Sequence, residues 1–146
     1  MNLEIRIATN ADLATLIKLY AAMNNETPLS EKKAAELFTE MAKIPNYNIY
    51  LAYLDNEAVG TFSLLIVPTM MHPGIHKFAV LDAVVVSLAL RSRGIGTAMI
   101  QEALKLGKAA GCYKLTLSSN LKRSRAHHFY ESLGFQQHGW SFSLKL

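Results

Sequence analysis

Cysteine occurs once in the 146 residues, at Cys112, which rules out an internal disulfide and any cysteine-cluster metal site. Beside Gly111 it reads as a small buried hydrophobe rather than a nucleophile. No apolar stretch approaches the ~20 residues of a membrane-spanning helix. Glu4 and Asp12 stand where a signal peptide would be apolar. The expectation is a soluble cytoplasmic protein with no membrane partner. Acidic residues are scarce in one part only: residues 1–86 hold 6 Lys/Arg and 9 Asp/Glu, residues 87–146 hold 9 Lys/Arg and 2 Asp/Glu. A net charge of +7 confined to the later part suits a polyanionic ligand there.

Half of the chain, 51%, is apolar, which allows one sizeable core and predicts a single domain over residues 1–146. Period-two alternation marks a strand at Glu4–Ile7. Thr9 and Asn10 offer caps for a helix whose stripe is Leu13, Leu16, Ile17 and Tyr20. Pro28 and Ser30 open a second helix that runs to about Ala42 and that Pro45 stops. Tyr47–Leu54 and Ala58–Val67 read as a hairpin, and Pro68–Lys77 as a loop. Phe78–Val86, apolar except for Asp82, has the pattern of a strand covered on both faces. A helix from about Gly94 to Ala110, a strand at Tyr113–Leu117 and a helix at Ser124–Leu133 follow. Residues 135–146 alternate Trp140, Phe142, Leu144 and Leu146 with polar residues, as a half-buried strand would. The order is mixed α/β.

The most informative stretch is Arg91-Ser92-Arg93-Gly94-Ile95-Gly96-Thr97, between the apolar strand and a helix. A strand that enters a helix through a glycine-bearing turn aims unpaired NH groups at one point, where the helix dipole adds positive potential. Such a turn seats a phosphate or pyrophosphate. A Walker loop needs Gly-Lys-Ser/Thr, which is missing, and a dinucleotide fingerprint needs a third glycine where Met99 stands.

Arg-x-x-Gly-x-Gly with Val84-Val85-Val86 upstream resembles the acetyl-CoA-binding motif of the GNAT superfamily of N-acetyltransferases. A second match lies downstream. Asn120 after a strand, then Ala126-x-x-Phe129-Tyr130-x-x-x-Gly134-Phe135, resembles the family's C-terminal half. The resemblance implies a GNAT fold: a central mixed, mostly antiparallel sheet of six to seven strands flanked by about four helices. It also implies acetyl-CoA as co-substrate, with no metal.

By the same resemblance, main-chain NH groups of Arg91, Ser92, Arg93, Gly94, Ile95, Gly96 and Thr97 hold the pyrophosphate. Val84, Val85 and Val86 run beside the pantetheine, and Asn120 orients the pantetheine or the following helix. Tyr130 is the family's usual acid toward the departing thiolate, an uphill transfer by about 2 kcal/mol for an ordinary phenol and thiol. Asp82, sharing a face with Val84 and Val86 by parity, stands where many members carry a carboxylate, more often Glu, that takes the amine proton. Burial would make it a stronger base. The residues alone also allow Tyr130 as core, Asp82 as a structural or substrate-binding carboxylate, and Asn120 as a turn residue.

Segments 117–130 and 141–146 resemble aminoalkylphosphonate N-acetyltransferases. Leu81–Gly96 resembles glucosamine 6-phosphate N-acetyltransferases, although Ala83 replaces their usual acidic residue. Both similarities imply a small primary amine as acceptor. A protein or peptide acetyltransferase and a weakly active acyl-CoA-binding regulatory module stay open as alternatives. Nucleic acid is not expected as a partner, because no exposed aromatics interleave with Lys122–Arg125. His72 and His76 fall in the expected loop, with no carboxylates to complete a metal site. The alternating tail leaves a homodimer open.

Overall fold

The computed structural model describes residues 1–146, which form two compact units, Met1–Thr116 and Leu117–Leu146. The first unit holds a five-stranded sheet in the order β1 (Leu3–Ile7), β2 (Tyr47–Leu54), β3 (Glu57–His72), β4 (Ile75–Val86) and β5 (Leu115–Thr116). All neighbours are antiparallel except β4 and β5. Its helices are α1 (Leu13–Asn24), α2 (Glu31–Ala42) and α3 (Ile95–Ala109). The second unit contains α4 (Ser124–Ser132). This is the expected mixed, mostly antiparallel architecture with four α-helices, and its sheet has five strands rather than six or seven.

Each helix is set by local chemistry. Ser30 Oγ accepts the Lys33 NH at 3.2 Å and opens α2. At the start of α1, Asp12 accepts the Thr9 NH at 2.7 Å through a single 3-10 turn, Asn10–Asp12. Gly111 follows α3 with a left-handed φ of 84°, the usual helix stop.

The sheet buries both faces. On one, Leu16 and Leu19 of α1 pack with Ile49, Leu51 and Val85, and Phe38 and Met41 of α2 complete the cluster. On the other, α3 lies close enough to the sheet that a Cβ on Gly60 would sit 2.6 Å from Met99 Sδ and 2.8 Å from the Val85 carbonyl oxygen. Glycine at 60 is therefore a packing requirement, since backbone cannot move aside as a flexible side chain can.

Two expectations are corrected. Pro68–Lys77 is no loop: β3 runs on to His72, and the chain turns at Pro73-Gly74, so the hairpin reaches Met70 and Met71 as exposed strand residues. Pro68 and Gly74 suggest a break, but a proline is tolerated where its missing NH interrupts no needed pairing, here beside the irregular register from Pro68 to His72. Residues 135–146 form no strand, and Trp140 and Phe142 are 80% and 90% exposed. Alternation states which face a strand could bury, yet a strand also needs a partner edge.

An ion pair locks the first strand to the first helix. Arg6 makes two parallel hydrogen bonds to Asp12, at 2.8 and 2.9 Å, and a third to the Tyr53 hydroxyl at 3.0 Å. Asp12 is only 6% exposed. Hydrogen bonding to Arg6 is the main influence holding its carboxyl well below the usual carboxylate range, against burial that pushes the other way. Because the folded-state value lies below the unfolded one, this stabilisation is complete above about pH 4 and is lost as pH falls further. Asp12→Ala should cost about 1–3 kcal/mol at pH 7, discounted for the exposed Arg6 side chain. Urea titrations of variant and parent should converge progressively as pH drops below 4.

Candidate active site

The site is built around an irregularity in β4. Thr61 pairs with Val85 and Ser63 with Asp82, so Phe62 alone stands opposite both Ala83 and Val84. This is a β-bulge, and Ala83 takes a left-handed φ of 50° to make it. The extra residue changes which side chains share a face. Directly paired residues lie on one face, so Asp82 goes with Ser63, Thr61 and Val85, whereas parity alone grouped it with Val84 and Val86. Ser63 Oγ donates to the Asp82 carbonyl at 3.2 Å across the step.

That face opens into a cavity of about 620 Å3 between α1, α2 and the sheet, within the size range of small-molecule sites. Leu13, Ile17, Leu37 and Phe38 give it apolar walls, and Tyr20, Tyr47, Ser63 and Asp82 bring polar atoms into it. Asp82 and Ala83 are exposed to solvent, so the burial expected to strengthen Asp82 as a base is absent. Tyr20 was legible only as part of a helical stripe. Burial pushes its phenol up from the ordinary value, the Thr61 hydroxyl draws it partly back, and Tyr47 and Asp82 add to the rise. It therefore stays a neutral hydroxyl at physiological pH. The available signal was a polar-tipped aromatic on an otherwise aliphatic stripe.

The opposite edge of β4 is free over much of its length. β5 pairs only with Ala79 and Val80, so residues 81–86, including Val84, Val85 and Val86, have no strand beside them on the edge away from β3. Val85 itself is buried in the α1 cluster, leaving its backbone rather than its side chain for any ligand. Beyond Val86 come a short 3-10 turn, Leu88–Leu90, and the glycine-bearing segment.

Arg91, Ser92, Arg93 and Gly94 are exposed there. Ser92 and Gly94 take left-handed φ values of 63° and 81°, which reverse the chain and start α3 without a side-chain cap. The first bond of the helix runs from the Ala98 NH to the Gly94 carbonyl at 3.0 Å. The NH groups of Ile95, Gly96 and Thr97 thus have no carbonyl of their own helix to meet. Ile95 is buried and anchors the helix, while Gly96 and Thr97 are half-buried. A Cβ on Gly94 would meet nothing within 4 Å, so its left-handed φ rather than crowding is what favours glycine there.

In the second unit, Tyr130 is half-buried, with its ring 5.3 Å from Phe129 and in edge contact with Phe135 at 5.7 Å. Burial pushes its phenol up, and the Arg123 charge offsets part of the rise. Asn120 is exposed and works as a turn residue: its Oδ1 accepts the Lys122 NH at 2.9 Å, and its carbonyl accepts from His127 Nε2 at 2.8 Å. Its neighbour Ser119, which the sequence marks only as part of segment 117–130, has a buried hydroxyl oxygen without a hydrogen-bond partner. Such an orphan invites a ligand atom. His72 and His76 are exposed on the β3–β4 hairpin, and no group of three His, Cys, Asp or Glu side chains could hold a metal ion.

An uncapped NH cluster at the end of an open strand edge fits acetyl-CoA, whose pyrophosphate needs donors and whose pantetheine can pair like a strand. Known proteins agree with that fit. The chain is 28% identical to the glucosamine 6-phosphate N-acetyltransferase of Trypanosoma brucei brucei, over 100% of this chain and 97% of the relative. It is also 28% identical to the aminoalkylphosphonate N-acetyltransferase of Salmonella typhimurium strain LT2, over 98% and 91%. A structure from Agrobacterium tumefaciens str. C58, provisionally described as an acetyltransferase, superposes with a TM-score of 0.90 at 32% identity, covering 98% of this chain and 99% of its own.

The bulge gives a direct test of the backbone reading. A left-handed alanine costs roughly 1–2 kcal/mol that glycine avoids, less the extra freedom glycine has when unfolded. Ala83→Gly should be neutral or stabilising by up to ~1 kcal/mol, whereas the β-branched Ala83→Val should destabilise; urea midpoints at unchanged slope read both. The sequence model of the Acetyltransferase (GNAT) family matches residues 13–135, and the chain belongs to that family of N-acetyltransferases.

Proposed function

We propose that the protein transfers an acetyl group from acetyl-CoA to the primary amine of a small molecule by direct attack on the thioester, with residues 1–146 acting as one catalytic domain. The observation that carries this reading is the double use of β4. Its outer edge is open along Leu81–Val86 and ends in the free NH groups, while Asp82 lines the small-molecule cavity. The family match, residues 13–135, includes residues of both units and supports this reading.

Bound acetyl-CoA supplies the activated acetyl group. The NH groups of Ile95, Gly96 and Thr97 hold its pyrophosphate, with Arg91 and Arg93 contributing charge, and the edge at Val84–Val86 aligns the pantetheine. Ser119 Oγ and Asn120 are further contacts. Asp82 Oδ positions the acceptor ammonium and takes its proton, directly or through water, leaving the nitrogen lone pair free to attack. As the new C–N bond forms and the C–S bond breaks, Tyr130 Oη donates a proton to the sulfur, and the second proton leaves the former amine nitrogen through water to the resulting phenolate, which restores the hydroxyl. Burial that raises the Tyr130 phenol makes this donation harder but keeps the proton available throughout the neutral range.

Purified protein mixed with acetyl-CoA and primary amines should release free thiol, and no release from any amine despite CoA binding would refute the proposal. Tyr130→Phe should lower kcat by about 10–100-fold with little change in CoA affinity. Asp82→Asn should lower kcat/KM for the amine more than it affects CoA binding. With burial raising the Tyr130 phenol, the loss of activity from ionising the acid should come at higher pH than an ordinary phenol would give, as a pH–rate profile reads.

A further inference from the structure

We propose that the acceptor is a primary amine carried on an apolar, uncharged body, such as an arylalkylamine or a longer alkylamine, and that phosphorylated or phosphonylated amines are poor substrates. This rests on the reading that the cavity beside Asp82 receives the acceptor. The two curated relatives are named for anionic amines, so the cavity's own chemistry separates this chain from them.

The walls are aliphatic and aromatic, from Leu13, Ile17, Leu37, Phe38 and Met41. The charged residues that line it are Asp82, Glu26 and Lys33, a formal net of −1. A phosphate or phosphonate dianion would lose its hydration against two carboxylates and a single cation, which is costly without paired donors. No arginine lines the cavity, although the planar fork of that side chain is the usual device for binding such groups.

Two features there could favour an anion, the start of α2 and Lys33, and both are at least partly engaged. Ser30 Oγ takes the Lys33 NH, and Glu31 places a carboxylate in the first turn. The Lys33 ammonium lies 3.6 Å from Glu36, another negative group on the same helix. An ammonium, by contrast, finds Asp82 and two phenolic oxygens, Tyr20 and Tyr47, at the same cavity. A cationic head against Asp82 with an apolar body along α1 and α2 satisfies both parts.

The test compares 2-phenylethylamine and hexylamine with 2-aminoethylphosphonate and glucosamine 6-phosphate, by thiol release from acetyl-CoA and by calorimetric CoA binding on the same preparation. The apolar amines should show kcat/KM at least tenfold higher. Faster turnover of either phosphorus-containing amine overturns the inference while leaving the acetyltransferase reading intact. No turnover of any amine by protein that binds CoA overturns both. Leu37→Lys, at a position already 40% exposed and so tolerant of a polar side chain, should narrow the preference at least tenfold toward the phosphonate. An unchanged ratio with CoA affinity retained would remove this cavity as the acceptor site.

Discussion

One inserted residue in β4 organises the whole active surface. Because Ala83 and Val84 together face Phe62, the strand changes hand over a single step: Leu81 and Val86 lie on the face of Phe62, while Asp82 and Val85 lie on the face of Thr61 and Ser63. Val85 can then be buried in the α1 cluster although Val84 and Val86 are not. A bulge also sharpens local twist. Pairing with β5 ends at Val80, just before the step, and the edge is open from there to the turn. A regular β4 with Asp82 still opposite Ser63 would have put Val84 opposite Thr61 and turned Val85 out of the α1 cluster.

The polar groups divide accordingly. Along the outer edge and the turn, the available groups are backbone NH donors with Arg91 and Arg93 nearby, a surface for phosphates that asks little of side-chain identity. Inside the cavity the groups are side chains: two carboxylates, one ammonium, two phenols and hydrocarbon. Backbone can bind a constant co-substrate in every member of a family. Side chains on α1 and α2 can vary without disturbing that arrangement, so acceptor preference and co-substrate binding can change independently.

These differences explain which parts were legible in the sequence. The Arg91–Gly96 segment was readable because left-handed turns demand glycine, and Gly94 meets that demand with a φ of 81°. Ser92 meets the same demand without glycine and gave no signal. The Ala83 bulge was hidden for that reason: alanine is a poor left-handed residue, so nothing in Asp82-Ala83-Val84 announces a break in alternation. Parity therefore assigned Asp82 to the wrong neighbours. The cavity was invisible because it arises between α1, α2 and the sheet, and local periodicity describes each element separately. Tyr20 belonged to a helical stripe on any reading; only assembly with Tyr47 and Asp82 gives its hydroxyl a setting.

The Arg6–Asp12 pair shows how the fold guards the cavity from a distance. The cavity depends on where α1 leaves the sheet, since Leu13, Ile17 and Tyr20 all project from that helix into it. Asp12 is the residue immediately before α1, and it is held by two bonds from β1 and reached by the Tyr53 hydroxyl of β2 at 3.3 Å. A helix fixed at its first residue can still pivot at its far end, and α1 ends in a left-handed Asn25 followed by an exposed connection to α2. The pair fixes the end of α1 that adjoins β1, and the left-handed Asn25 closes its other end.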